Sequence, residues 1–168
     1  MRYTDFSDTF LIRGHSQKCV RAFTLVELLL AIAIVGTLSA VAVPVYSNYA
    51  AESRDSTAIA DIRKIEGGIE RFMMERGRPP NDLAEAGLPT LNDPWGHPYK
   101  YVAIAGLTNA ERDAKCRWNK FEKPLNDDYD LYSMGKDGLT NAKITHANSY
   151  DDIIRANNGA YAGVASGY

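Results

Sequence analysis

The residues best suited to chemistry in this 168-residue chain are acidic. Glu27 is the single charge between Phe23 and Tyr46, in the run FTLVELLLAIAIVGTLSAVAVPVY. A carboxylate inside an apolar span is costly. It either sits at the depth of a membrane interface or answers a cation that the span itself does not contain. A second acidic group comes late, where Asp127, Asp128, Asp130, Asp137, Asp151 and Asp152 stand against Lys136, Lys143 and Arg155. Carboxylates crowded around a Gly turn suit a hard cation such as Ca2+, which takes six to eight oxygens, backbone carbonyls included. Solvated loop charges are the commoner explanation. An EF-hand is excluded, because Asp128-Tyr129-Asp130 lacks the Gly and the distal Glu that such a loop requires.

Nucleophilic and metal chemistry find less support. The chain has no P-loop, no G-x-G-x-x-G, no H-E-x-x-H and no G-x-S-x-G. The spacing of His97, Cys116 and His146 does not recommend a metal site. Asp127-Asp128 lies among loop residues without the apolar pocket that sets two carboxylates apart as acid and base. An enzyme is not expected. Lys and Arg number 19 against 21 Asp and Glu, a net charge of −2, so no basic excess exists to bind nucleic acid. At 45% hydrophobic and 24% charged residues, the composition excludes wholesale disorder.

The elements that must position these groups begin with the apolar run. Roughly 20 apolar residues cross a bilayer core as a helix. Arg13, Lys18 and Arg21 precede the run and Glu52 is the first charge after it, which places residues 1–22 in the cytoplasm and the rest outside. The run exceeds the h-region of a secretory signal, and no small-x-small cleavage site follows it before Pro44. Beyond it, Ile59, Ile62, Ile65, Ile69 and Phe72 form one stripe of an amphipathic helix, with Asp61, Arg63, Glu66, Glu70 and Arg71 largely off it. Gly67-Gly68 marks a close approach of another backbone, and Gly77-Arg78-Pro79-Pro80 ends the helix. A helix from Phe23 to Arg76 would reach roughly 80 Å at 1.5 Å per residue. No domain of this size buries that length, so its first half must lie in a bilayer or against copies of itself.

The rest reads as loop-rich. A brief helix is expected over Leu83–Leu88, ended by Pro89. A turn is expected at Asp93-Pro94-Trp95-Gly96, with Trp95 as a core or corner anchor. Strands are expected over Tyr99–Ile104 and Tyr129–Met134, joined by a charged connection, 106–128. Such strands cannot stand alone. Packed on the Ile stripe, they give an α+β domain, one helix across a small antiparallel sheet.

At Ala22-Phe23-Thr24-Leu25-Val26-Glu27-Leu28-Leu29 the chain resembles the processing motif of type IV prepilins and type II secretion pseudopilins. The resemblance implies cleavage between Ala22 and Phe23 by a membrane prepilin peptidase, methylation of the new Phe23 amine, and pairing of Glu27 with that amine on a neighbouring subunit. The family pattern has Gly before the cut where this chain has Ala22. Cleavage would also remove Cys19 and leave Cys116 alone, without an intramolecular disulfide, as a structural thiol. In the same family, a stretch such as Gly36 to Pro44 can lose helicity between membrane and filament. Further on, Asp93-Pro-Trp-Gly-His-Pro-Tyr99, Ser133-Met-Gly-Lys-Asp-Gly138 and Asp151-Asp-Ile-Ile154 follow the order of the major pseudopilin of type II secretion. That likeness implies Ca2+ held by Asp137, the carbonyl of Met134, and Asp151 or Asp152. The chain departs from it in the thirteen residues between Asp137 and Asp151 and in the fourteen after Ile154.

The expectation is a type IV pilin-like α+β protein in three parts. Residues 1–22 form a cytoplasmic leader, 23–46 a transmembrane and filament-core helix, and 47–168 a periplasmic domain with a C-terminal loop region. Its implied setting is the bacterial inner membrane, crossed once. Its implied partners are copies of itself, minor pseudopilins, the peptidase and an inner-membrane assembly platform, with no nucleic acid. A type IV pilus subunit and a membrane-tethered periplasmic binding module are the alternatives.

Overall fold

The computed structural model describes residues 23–88 and 91–168. The leader, Ala22 and the expected stop at Pro89 lie outside the described residues. The chain falls into two units, one ending at Val43 and one spanning Pro44–Tyr168.

Helix α1, Leu25–Arg76, contributes to both units and contains Pro44. Thr24 starts it through a capping box. The Thr24 amide and hydroxyl donate to Glu27 Oε2 at 3.0 and 2.9 Å, and the Glu27 amide donates to Thr24 Oγ1 at 3.2 Å. Gly77 ends it in the left-handed region, φ +69°, with its amide donating to Met73 O at 2.8 Å.

In the Pro44–Tyr168 unit, α1 packs on a four-stranded antiparallel sheet: β1 Lys100–Ala103, β2 Tyr129–Ser133, β3 Ile153–Ala156 and β4 Tyr161–Val164, in that order. Ala58, Ile62, Ile65 and Ile69 of the helix are buried against Tyr99, Tyr129, Leu131 and Ile153. Ile59 is only partly buried and Phe72 intermediate, so the buried stripe runs slightly off the Ile spacing. The other sheet face has its own cover: Ile154 and Ala156 meet Leu125, Ile144 and Ala165. Apolar burial on both faces supplies the driving force that so small a sheet needs.

Four expectations change. Residues 83–87 form turns and 88 is irregular, because Gly87 takes φ +67° and Glu85 is committed to Arg78 and Asn81. A segment that short does not nucleate a helix without help. The connection 106–128 holds a second helix, α2 Asn109–Lys115, closed by a capping box between Thr108 and Glu111. The residues after Ile154 build β4 and the end of β3. Gly68 faces the Leu88 side chain, not another backbone: an added Cβ would lie 2.5 Å from Leu88 Cδ2.

Cys116 is buried at the end of α2. Burial first, then the nearby Asp130 charge, pushes its thiol up to about 11. Only the thiolate attacks an alkylating agent. Cys116 in a folded 47–168 fragment is therefore expected to react with iodoacetamide at pH 8 roughly two orders of magnitude more slowly than in urea. Equal rates, followed by mass spectrometry, would show that the thiol is not held in this core.

Candidate functional site

Two regions carry the residues singled out by the sequence. The first is the start of α1. Phe23, Leu25, Val26 and every large apolar side chain on to Tyr46 are exposed. The segment is long and apolar enough to cross a membrane, and none of the described residues covers its apolar window. Glu27 is held by Thr24, three residues back, so its carboxylate has local donors before any neighbour arrives.

The second region joins three motifs at the sheet end. Asp93 organises the Asp93–Tyr99 turn: its Oδ1 accepts the amides of Trp95 and His97 at 3.0 and 2.9 Å. Its Oδ2 accepts the Ser133 hydroxyl, and Ser133 Oγ in turn accepts the Gly135 amide at 3.0 Å. His97 Nδ1 lies 3.1 Å from Gly135 O. A carbonyl only accepts, so this nitrogen carries the proton. His97 is thus structural, latching the first turn onto the second. Trp95 packs partly buried against the core, as its anchor role requires.

Asp151 closes the same turn from the other side. Its Oδ2 accepts the amides of Lys136 and Asp137 at 2.8 and 3.1 Å. Gly135 is required at this contact: its φ is +63°, and a Cβ there would lie 2.3 Å from Asp151 O. Asp137 Oδ1 accepts the Leu139 amide at 2.7 Å. Asp152 is separated from this group. It is fully buried and engaged by Arg117 and by the Thr140 hydroxyl at 2.7 Å. Burial raises its carboxyl, and the Arg117 charge and the Thr140 hydrogen bond oppose that rise.

Asp151 therefore meets the turn that holds Asp137 and follows Met134, whereas Asp152 serves another contact. Among the described residues, no three His, Cys, Asp or Glu side chains converge in a way that could hold a metal. The pairing of Asp151 with two amide hydrogens also turns its carboxylate toward donors. Ca2+ takes six to eight oxygens, backbone carbonyls and waters included, and here Asp151 Oδ2 is already engaged by two amides. His97, Cys116 and His146 do not gather either, and His146 instead caps a short 3-10 turn through Nδ1.

The late acids that looked solvated are largely structural. Asp128 pairs with Arg155. Asp130 is buried and accepts from the Arg117 amide and from Asn126. Glu66, expected off the helix stripe, is buried on it and bound by Arg155 and Arg63. Sequence reasoning missed Arg117 and Arg155 as organising residues. The place of Arg155 two residues after Ile153, on the same sheet face, was the available signal for the second. Arg117 offered none.

Comparison with known proteins bears on both regions. Residues 17–43 match the prokaryotic N-terminal methylation motif. Residues 46–150, more than half the chain, match the family described as type II secretion system (T2SS), protein G. A fimbrial protein of Neisseria meningitidis serogroup B is 35% identical over 89 residues, 53% of this chain and 51% of that protein. The chain thus spans about half the length of that relative. A type IV major pilin protein PilE of Neisseria gonorrhoeae is 29% identical over 140 residues, 81% of this chain and 82% of that one. No solved structure matches. The match over more than half of the chain, preceded by a methylation motif on the apolar start of α1, shows that the chain belongs to the type II secretion system protein G family of pilin-like proteins.

Proposed function

We propose that this chain is the structural, non-catalytic subunit of a periplasmic pseudopilus that drives protein export. It inserts in the inner membrane with residues 1–22 in the cytoplasm. The prepilin peptidase cuts between Ala22 and Phe23 and methylates the Phe23 amine. The inner-membrane assembly platform then adds the subunit to a polymer of its own copies, with minor pseudopilins completing the fibre. The observation that carries this reading is the apolar surface of α1 up to Tyr46, which none of the described residues covers. A bilayer satisfies it before assembly, and neighbouring copies satisfy it afterwards.

A second reading, a type IV pilus subunit, is favoured by the relative matched over most of both chains, which is named a type IV major pilin. Loss of exported protein from the medium on deletion of the gene supports the first. Loss of surface fibres with export intact supports the second.

Processing is tested by the intact mass of protein extracted from membranes. The expected species begins at Phe23 and carries one methyl group. A mass that retains residues 1–22 in cells with an active peptidase would overturn the processing step. Ala22→Gly is expected to speed cleavage, read as the precursor-to-mature ratio in a pulse-chase.

A further inference from the structure

We propose that the C-terminal loop of this protein is closed by an internal cation, the Arg117 guanidinium, and that its closure is independent of calcium. The juxtaposition is that of Arg117, just after α2, with Asp152 just before β3 and Thr140 in the loop between β2 and β3.

Both charged side chains are buried, Arg117 to 2% exposure and Asp152 to none. Arg117 Nη2 donates to Asp152 Oδ2, and Nη1 donates to Thr140 Oγ1 at 2.8 Å. The Thr140 hydroxyl has one proton and gives it to the same Asp152 oxygen at 2.7 Å. The three groups form a closed triangle of three hydrogen bonds. The guanidinium also lies 4.1 Å from the centroid of the Tyr132 ring, a cation–π contact with β2. One positive charge thus ties a loop residue and two strands, the work a bound metal ion does in joining distant oxygens.

The backbone beside Arg117 repeats the tie. The Trp118 amide donates to Ala142 O at 2.9 Å, and the Ile144 amide donates to Trp118 O at 3.0 Å. Ser149 Oγ accepts the Asn141 amide and donates to Asn141 O, at 2.8 and 3.0 Å, which closes the loop across its neck. The remaining acid of the pair, Asp151, accepts hydrogen bonds from the amides of Lys136 and Asp137. A Ca2+ ion at this turn would compete with those amides for Asp151 and with a guanidinium for Asp152. Nε of Arg117 and Oδ1 of Asp152 have no partner among the described residues. The tie is therefore made through one oxygen, and removing either member strands a buried charge. This closure does not depend on the filament reading, since a tethered monomer would need the same loop.

The test uses the mature chain in detergent, melted with 2 mM CaCl2 (about that concentration) and with chelator, beside limited proteolysis at Lys143. The expected result is one melting temperature for the unmutated protein in both conditions. Arg117→Gln is expected to lower it by several degrees and to speed cleavage at Lys143 at least about tenfold. Asp152→Asn should act alike, and the double variant should cost clearly less than the two single losses added. A rise in melting temperature with calcium that Asp137→Asn abolishes would overturn the proposal. So would additive losses in the double variant. If Arg117→Gln fails to fold, Thr140→Val supplies the local readout: faster cleavage at Lys143 supports the triangle, and unchanged cleavage rejects it.

Discussion

Arg155→Ala is expected to remove about 3–5 kcal/mol from the stability of the helix-on-sheet unit, the cost of breaking a buried ion pair from one side. Arg155 stands on β3 facing α1 and is 3% exposed. Its Nε donates to Glu66 Oε1 at 2.8 Å, and its two terminal nitrogens hold Asp128 at 2.8 Å each. Nη1 also donates to Tyr129 O at 3.1 Å, and the guanidinium stacks on the Tyr129 ring at 4.0 Å. Burial disfavours the charge on Arg155, but the hydrogen bonds to Asp128 and Glu66 outweigh it and hold the group more firmly protonated than usual. Alanine would leave Glu66 in the core with Arg63 alone, a side chain that is 43% exposed. Urea unfolding of a 47–168 fragment measures the loss. Arg155→Met with Glu66→Leu should recover much of it, because apolar groups of similar volume carry no desolvation cost. A loss below about 1 kcal/mol for the single change would place Arg155 among surface pairs, which contribute that little.

The same network explains which parts of the fold were legible. The Ile stripe of α1 was readable because the spacing of Ile62, Ile65 and Ile69 marks one helix face, although Ala58 rather than Ile59 begins its buried part. So were β1 and β2, whose Tyr and Val residues sit between turn residues. The capping box of α2, Thr108-Asn-Ala-Glu111, was present in the sequence as a start signal. The apolar face that normally accompanies such a signal was not, since α2 buries none of its residues. β3 carried no alternation because both its faces are covered, so Ile153 and Ile154 are buried side by side. β4 is short and holds Ala162 and Gly163, which have weak strand preference. Glu66 could not be assigned to the core from its own position. Its partner lies 89 residues later, and a carboxylate enters a core only when such a partner is there.

The candidate site was legible as sequence motifs and less so as contacts. Asp93, Ser133 and Gly135 lie in motifs that the sequence singled out, but their contact appears only in the structure. Asp151 and Asp152 look equivalent in the sequence, yet neighbouring residues near the start of a strand point to opposite sides. One reaches the 135–137 turn, the other Arg117. Nothing in the composition of residues 116–118 foretold a buried guanidinium, because the cavity that takes it is formed by Tyr132, Thr140 and Asp152 from three later segments.

Glu27→Gln is expected to insert in the membrane, to be cleaved, and to yield at most about a tenth of the normal filament. The substitution separates two roles that Glu27→Leu would remove together. In the single chain, Glu27 completes the capping box with Thr24, and Gln can complete it as well. Helix start, insertion and recognition by the peptidase should therefore survive. What Gln cannot supply is a negative charge. On the proposed assembly route, the Phe23 ammonium created by cleavage enters a filament core where water is excluded, and there an opposite charge matters far more than in bulk solvent. A loss of about 1.4 kcal/mol per docking step already means a tenfold weaker addition. Glu27→Asp keeps the charge on a shorter side chain and should fall between Gln and the unmutated chain. The measurement is the sheared or crosslinked polymer per unit of mature protein in the membrane. Normal polymer from Glu27→Gln would reduce Glu27 to a helix cap and favour a membrane-tethered domain over a filament subunit. Poor polymer from Gln with normal cleavage would assign the carboxylate to the contact between copies.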